Sequence, residues 1–405
     1  MPSYDVAVVG ASTAGCTAAR LYAQQGARVA LIERRPAPDA YKTVCTHYIQ
    51  PCATPTIERL GLAPLIEARG AVRNRISLWT PYGGWIPVVE GAPYGYSVTR
   101  RTLDPILREL AAGTPGVELM AGQTAVALRG DGRITGVELE DRAHGRTSVD
   151  ARLVVAADGR DSAIARLAGV PGKVRPHNRF FYWAYWRGVR PAGEESRMWL
   201  LDPDAAYTFP NEDGLTVVLV APHRDRLPEF REDLEGAYRR SLDALPDAPD
   251  LSAATQDSKL LGKLELPNVM RPAAHRGMAL AGDAALASDP LWGVGCGWAF
   301  ESAAWLVDET AAAVRGEEDL DKALARYRRL HRRRLGLHHF LIADIASART
   351  ANPFERRLYR AAARDEKVRR AFEPIGARRR SPATLFRPGT MARLLLSGRP
   401  RGARR

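Results

Sequence analysis

The chain has 405 residues, 45% of them hydrophobic, with 8 Trp and 13 Tyr. That is enough to bury a substantial core in one large domain with an inserted lobe, or in two intimate domains. No apolar run is long enough to span a bilayer, and Cys16, Cys45, Cys52 and Cys296 form neither a CxxC pair nor a zinc spacing, so no metal site is expected. Much of the formal net charge of +13 comes from late arginines, over 326–334, 378–380 and 399–405. Without interleaved aromatics or a legible nucleic-acid module this reads as a solvated face, with weak attraction to an anionic membrane surface as the second reading. The opening MPSYDV enters a strand-like run at once, with no charged leader or cleavage signal, and predicts a cytoplasmic protein.

Residues 4–9 (YDVAVV) read as a buried parallel strand. It runs into Gly10-Ala11-Ser12-Thr13-Ala14-Gly15, then a helix over 16–25 that Gly26 can end in a left-handed conformation. Residues 28–32 (RVALI) form the next strand, ending at Glu33 and Arg34. This is a βαβ unit of the dinucleotide-binding pattern. The glycine turn admits a pyrophosphate, the helix N-terminus supplies N–H donors, and Glu33 stands where a carboxylate accepts from ribose hydroxyls. Ser12 replaces the usual middle glycine, and its hydroxyl can donate to a phosphate oxygen. An ordinary strand–helix turn without a ligand is the plain alternative.

Strands are expected over 117–119, 124–129, 134–140 and 148–155, with Gly130-Asp131-Gly132 as a hairpin turn. The last leads into ADGRDS at 157–162. After Pro171 the texture becomes aromatic: residues 179–189, 196–201, 207–210 and 215–221 predict an antiparallel sheet with one aromatic face, and 211–214 a turn. A helix is expected over 227–244, then a strand at 278–281 leading to Gly282-Asp283 and the loop DPLWGVGCG. From Ala299 the pattern is helical, broken near Pro353, and the stretch from Ser381 is expected to be loosely held. No internal repeat is visible.

The three segments GASTAG, ADGRDS and AGDAALASDPLWGVGCG, in this order and each after a strand-like run, resemble the flavin monooxygenases with the para-hydroxybenzoate hydroxylase fold. That superfamily includes geranylgeranyl reductases and flavin halogenases, and the resemblance extends to about Tyr327. It implies an α/β protein: a Rossmann-like FAD-binding domain (1–175 and 260–330), an inserted antiparallel β-sheet substrate domain (176–259), and a C-terminal helical region with a basic tail (331–405). FAD is the implied cofactor, held by Gly10, Ser12, Thr13, Ala14, Gly15, Glu33 and Arg34 at the nucleotide end, with Val126 nearby. Arg100, preceding Leu103-Asp104, and the pair Asp158-Gly159 match further family positions. Gly282 and Asp283 match the ribityl-binding pair, while Pro290, Gly293 and Gly295 match the loop around the isoalloxazine. No second dinucleotide motif exists, so NAD(P)H is implied as a transient reductant. Leu286 and residues 296–298 depart from the family pattern and make the loop bulky. The halogenase WxWxIP signature is reduced to Trp85-Ile86-Pro87, which disfavours halogenation.

Residues 42–59 (KTVCTHYIQPCATPTIER) are similar to the stretch where reductases of the superfamily carry a cysteine near flavin. Cys45 and His47 are candidate proton donors there, against the plainer reading of a packed loop with a small buried thiol. Tyr207, Phe209 and Pro210 match an aromatic-x-Phe-Pro region that lines a substrate cavity in those enzymes. Tyr182, Trp183, Tyr185, Trp199 and Trp292 complete the candidate substrate residues, although about half of a strand's side chains must face away. The resemblance implies an FAD-dependent monooxygenase that hydroxylates or epoxidises a small or medium apolar or aromatic molecule, as in natural-product (antibiotic) biosynthesis. The alternatives are an FAD-dependent alkene reductase of the geranylgeranyl type, and a cyclase or binding protein with structural FAD.

Overall fold

The computed structural model describes residues 3–141, 145–190 and 195–396, so the arginines at 399–405 lie outside the described residues. In chain order the elements that position the site begin with β1 (Ser3–Val9), α1 (Thr13–Gln24) and β2 (Val29–Glu33). Then come β3 (Val72–Thr80), α2 (Arg100–Ala112), β4 (Val117–Ala121) and β5 (Gly145–Ala156). The aromatic stretch forms β6 (Phe181–Arg187), β7 (Glu195–Leu200), β8 (Ala205–Pro210) and β9 (Leu215–Ala221), followed by α3 (Leu234–Asp243). The chain returns as β10 (Met278–Leu280) and ends in helices α4 (Gly295–Val314), α5 (Leu320–Ala346), α6 (Pro353–Arg364) and α7 (Glu366–Gly376).

Five strands run parallel in the order β10-β5-β1-β2-β4. β1 is central and covered on both faces, which is why its sequence is a Val/Ala run rather than an alternation. From β1 the chain moves through α1 to β2 on one side, while β5 and β10 lie on the other. The carboxyl ends of the strands at this change of direction form the crevice where ligands of open α/β sheets sit. The hairpin expected over 124–129 and 134–140 forms over Thr124–Arg129 and Gly136–Asp141 and pairs with β5 as an antiparallel insertion, and Val126 falls at a bulge between Ala125 and Ala127.

The second sheet differs from the expectation in two ways. Among the described residues it has ten strands and is not purely antiparallel: β3 joins parallel to β7, with Leu78 opposite Met198, and residues 48–49 and 95–97 extend the sheet. It also has aromatics on both faces. Phe181, Trp183, Tyr207 and Phe209 share one face with Met198 and Leu219, while Trp186, Trp199 and Val218 share the other with Phe230 and Tyr238. Side chains of a strand alternate, so each aromatic run feeds both layers.

The helix expected over 227–244 is split, because the Asp233 carboxylate caps the Gly236 N–H at 2.9 Å and starts α3 afresh. The break at Pro353 is present, with Asn352 and Glu355 forming a capping box. The stretch from Ser381 is not loose up to residue 396. It forms a short 3-10 turn and a helix (Pro388–Leu396) that bury Pro382, Leu385 and Leu394. Each leucine so buried contributes about 1.5–3 kcal/mol, a driving force that the Pro- and Arg-containing composition concealed.

Candidate functional site

The glycines of the three loops bring backbones together. At Gly10 (φ +107) a Cβ would lie 2.5 Å from the carbonyl oxygen of Ala157. At Gly15 it would lie 1.7 Å from the carbonyl oxygen of Gly10, and at Gly282 (φ +58) 2.9 Å from the Cβ of Ala14. Any side chain at these positions would push the carboxyl ends of β1, β5 and β10 apart. α1 starts at Ser12 with no side-chain cap, and the Thr13 hydroxyl is buried without a partner. α4 also starts, at Val294, without a side-chain cap. Outside its own helix, Gly295 has only Asp283 Oδ1 near its Cβ position, at 3.8 Å. Two helix N-termini with uncapped first turns, an orphaned hydroxyl and open space before Gly295 fit a dinucleotide whose pyrophosphate lies at α1.

The loop after Ala287 is built from local signals. Asp289 caps the Leu291 N–H at 2.7 Å, Pro290 opens a 3-10 turn, and Gly293 closes it in the left-handed region at φ +59. Arg160 fastens this loop to the end of β5 by donating to the Ser288 carbonyl at 2.8 Å and to that of Pro267.

Glu33 is engaged within the protein. Its Oε2 accepts from the Ala11 N–H at 2.9 Å, and its Oε1 accepts from the N–H and Nε of Arg35, each at 3.0 Å. Burial works against the charge, yet these hydrogen bonds hold the carboxyl below its usual range. Glu33 therefore braces the glycine turn, and Arg35, not the exposed Arg34, is its cation. Asp158 accepts from Ser162 Oγ at 2.6 Å and the Ile164 N–H at 3.0 Å, so it caps the following helix, beside Gly159 at φ +89. Both carboxylates are thus engaged by the chain itself.

Thr99 caps α2 and sets Arg100 at its first turn. The buried Arg100 guanidinium donates from Nη2 to Asp104 Oδ1 at 2.5 Å and to Ser12 Oγ at 2.7 Å. Asp104 also accepts from the Lys42 N–H at 2.9 Å, and Lys42 Nζ reaches Asp283 Oδ2 at 2.8 Å. Burial opposes the Asp283 charge, but Lys42, then Arg160, keep its carboxyl below the usual range. The Ser12 hydroxyl and the Asp283 carboxylate thus already have partners inside the protein.

Cys45 and His47 meet residues from far along the chain. The thiols of Cys45 and Cys296 are 3.7 Å apart, and the His47 N–H lies 3.3 Å from Cys45 Sγ. His47 Nδ1 accepts from the Arg100 N–H at 3.0 Å, so the proton of the neutral ring is on Nε2, which donates to the Tyr185 hydroxyl at 2.6 Å. Bonds to both ring nitrogens hold His47 in the left-handed region at φ 64, a conformation costing about 1–3 kcal/mol for a side-chain-bearing residue. The hydrogen bond from Cys296, opposed by burial and aided by His47 and Arg100, holds the Cys45 thiol well below its ordinary range; Cys296 is pushed up correspondingly. Of the two thiols, Cys45 is thus the one held toward its charged form, with Cys296 as its hydrogen-bond partner. Burial first, and then the Cys45 charge, push the Tyr185 hydroxyl up to about 12. Tyr185 is the protonated acid of the cluster.

Of the aromatic candidates, Trp183, Tyr185, Tyr207 and Phe209 lie on the face toward the loop. Tyr207 donates to the Leu291 carbonyl at 2.7 Å, and Phe209 stacks between Tyr48 and Tyr207 at 5.7 and 5.6 Å. Tyr182 and Trp199 point the other way: Tyr182 stacks on Phe230 at 5.6 Å and Trp199 donates to the Pro246 carbonyl at 2.8 Å. Both belong to the layer under α3, so their substrate assignment is withdrawn. Trp292 borders a cavity that Tyr48, Gln50 and Met198 also line, and Gln50 Nε2 donates to the Trp292 carbonyl at 2.5 Å. Lys42, Tyr48, Gln50, Asp104 and Cys296 were missed as site residues, although three of them fall in the segment 42–59 that the sequence already marked. Among the described residues no cluster of His, Cys, Asp and Glu could hold a metal, and no helix is long and apolar enough to cross a membrane.

A family model described as an FAD binding domain matches residues 3–335. Digeranylgeranylglycerophospholipid reductase 1 of Methanopyrus kandleri is 31% identical over 302 residues, covering 72% of this chain and 76% of the relative. The p-nitrophenol 4-monooxygenase of Pseudomonas putida DLL-E4 has a similar structure, with a TM-score of 0.75 at 20% identity over 92% of this chain and 98% of that one. The myxobacterial chondrochloren halogenase gives a TM-score of 0.75 at 20% identity over 98% and 97% of the two chains. At such identities the structural likeness carries the fold and not the reaction.

Proposed function

Because this chain belongs to the FAD-binding-domain family, whose members are FAD-dependent oxidoreductases, we propose that it is a flavin-dependent monooxygenase acting on an apolar or aromatic organic molecule. The observation that carries this reading is the Tyr185 hydroxyl, held by His47 Nε2 at 2.6 Å beside the aromatic wall of Trp183, Tyr207 and Phe209. Cys296 and Arg100 lower the Cys45 thiol, which reduces its protonated share and weakens the cysteine-acid version of alkene reduction. Oxygenation asks less of the protein: binding, exclusion of water and one well-placed donor.

Bound FAD supplies the redox chemistry, with NAD(P)H as reductant and dioxygen as oxidant; one oxygen atom enters the substrate and the other leaves as water. The chain's own residues do the rest. The first turn of α1 and the Thr13 hydroxyl would receive the pyrophosphate, with Glu33 bracing Ala11. Asp283, beside Lys42, would accept from the ribityl hydroxyls, and Pro290, Gly293 and Gly295 would shape the ring's seat. Trp183, Tyr207 and Phe209 form a dry wall, and Tyr185, oriented by His47, donates a hydrogen bond to a substrate oxygen. The test is substrate-dependent oxygen uptake with NAD(P)H. Turnover that proceeds at the same rate without oxygen rejects the proposal.

A second reading is favoured by the 31% identity to a reductase named for a polyunsaturated lipid: an alkene reductase in which Tyr185, rather than Cys45, gives the proton. Anaerobic, NAD(P)H-dependent loss of a carbon–carbon double bond would select it.

A further inference from the structure

The cavity beside Trp292 lies between β3, residues 86–93 and α7, and its lining is mostly apolar, including Ile76, Leu78, Met198 and Phe372. Two guanidiniums stand in that lining. Arg75 donates only from Nε, to the Ala92 carbonyl at 2.7 Å. Arg369 donates only from Nη1, to the Ala362 and Ala363 carbonyls at 3.2 Å each. Neither has an ion-pair partner among the described residues. The one carboxyl in the lining, Glu373, is raised by burial and already has Arg379 at 3.8 Å. A third cation, Arg378, lies over the Trp292 ring at 5.2 Å, and its Nε and Nη2 are buried without a partner. Arg75 and Arg369 are half-buried, so the lining presents two guanidiniums with N–H groups free for an anionic group. The planar fork of arginine matches a carboxylate or a phosphate.

We propose that this cavity, which Tyr48 joins to Phe209 of the aromatic wall, is the distal arm of the substrate site and takes the far end of an amphipathic anion, an apolar chain or ring system whose carboxylate or phosphate sits on Arg75 and Arg369. This rests on the oxidoreductase reading of the adjoining loop. α7 and Arg369 lie beyond residues 3–335, so substrate choice is made by a segment outside the part matched by the family model.

The test uses the FAD-loaded full chain and reads binding by calorimetry and Trp fluorescence, without turnover. The probes are dodecanoate, dodecyl phosphate and neutral dodecanol, each below its aggregation concentration. At least one anion should bind about tenfold or more tighter than dodecanol, and which anion is tighter distinguishes a carboxylate from a phosphate group. Arg75→Gln and Arg369→Gln should each remove about tenfold of the anion affinity and leave dodecanol within about twofold. Val89→Trp, which fills the chamber, should weaken all three. Circular dichroism and FAD content check each variant; if Arg75→Gln misfolds, Arg369→Gln, on a half-exposed turn of α7, decides alone. Equal binding of dodecanol and both anions, an anion preference that survives the substitutions, or binding indifferent to Val89→Trp would overturn the proposal. Because no turnover is read, a failed oxygen-uptake experiment leaves this result standing, and the reverse holds too.

Discussion

Glu33→Gln is the sharpest probe of the nucleotide end. The substitution keeps shape and removes the charge that accepts three hydrogen bonds, from the Ala11 N–H and the N–H and Nε of Arg35. A glutamine oxygen can replace one acceptor, but its NH₂ then faces a donor, and hydrogen bonds to charged groups are worth about 1.5–3 kcal/mol each. Losing the buried Ala11 contact and weakening one Arg35 contact should cost about 2–4 kcal/mol, shared between folding and cofactor affinity. Since Ala11 lies inside the glycine turn, the loss should appear as about 10–100-fold weaker FAD binding in titrations of the apo-protein. Ser12→Gly should do less, because the Arg100 fork keeps its two contacts to Asp104. The pH dependence has a definite sign. The Glu33 pKa is depressed in the folded state, so its stabilisation is fully present above the ordinary glutamate value. It fades as pH falls through the depressed folded value, and the Gln variant should lack that part of the acid destabilisation. Equal FAD affinity and equal acid sensitivity in the two proteins would refute the bracing role of Glu33.

Three further outcomes follow from the site. Alkylation with iodoacetamide at neutral pH, followed by peptide mapping, should label Cys45 well before Cys16, Cys52 or Cys296, since burial pushes the Cys16 and Cys52 thiols up while Cys45 is held down; uniform labelling would count against the thiolate. Tyr185→Phe should lower kcat by about 10–100-fold with KM little changed, while Cys45→Ser should leave oxygen uptake largely intact; the reverse order of effects would return Cys45 to the role of acid. Trp199→Ala should lower stability by about 3–5 kcal/mol in denaturant titration without changing substrate affinity, because its ring belongs to the layer beneath α3; a selective rise in KM would contradict that placement.

What was legible in the sequence was local. Strand β1, the glycine turn, α1 and Glu33 are consecutive, so periodicity and turn chemistry fix them without knowledge of the rest. The DPLWG loop reads the same way, as an Asp cap, a proline at the first position and a left-handed glycine. The sheet was only half legible: alternation says that Tyr182 and Tyr185 point oppositely, but not which of them meets His47. β3 went unnoticed because its partner β7 lies in another third of the chain, so nothing near residues 72–80 marks it as a strand of that sheet. The surroundings of Cys45 were hidden for the same reason. Its neighbours are Cys296, 251 residues away, and Arg100, whose buried pairing with Asp104 no spacing rule reveals as a neighbour of either thiol.

The central claim is that flavin-delivered electrons reach dioxygen and one of its atoms reaches an apolar substrate. The most direct measurement is mass analysis of product formed by the FAD-loaded protein with NAD(P)H under isotopically labelled dioxygen. The account predicts a single labelled oxygen atom in the product, with oxygen uptake matching NAD(P)H oxidation. Unlabelled product bearing two added hydrogens, formed equally well without oxygen, would contradict it.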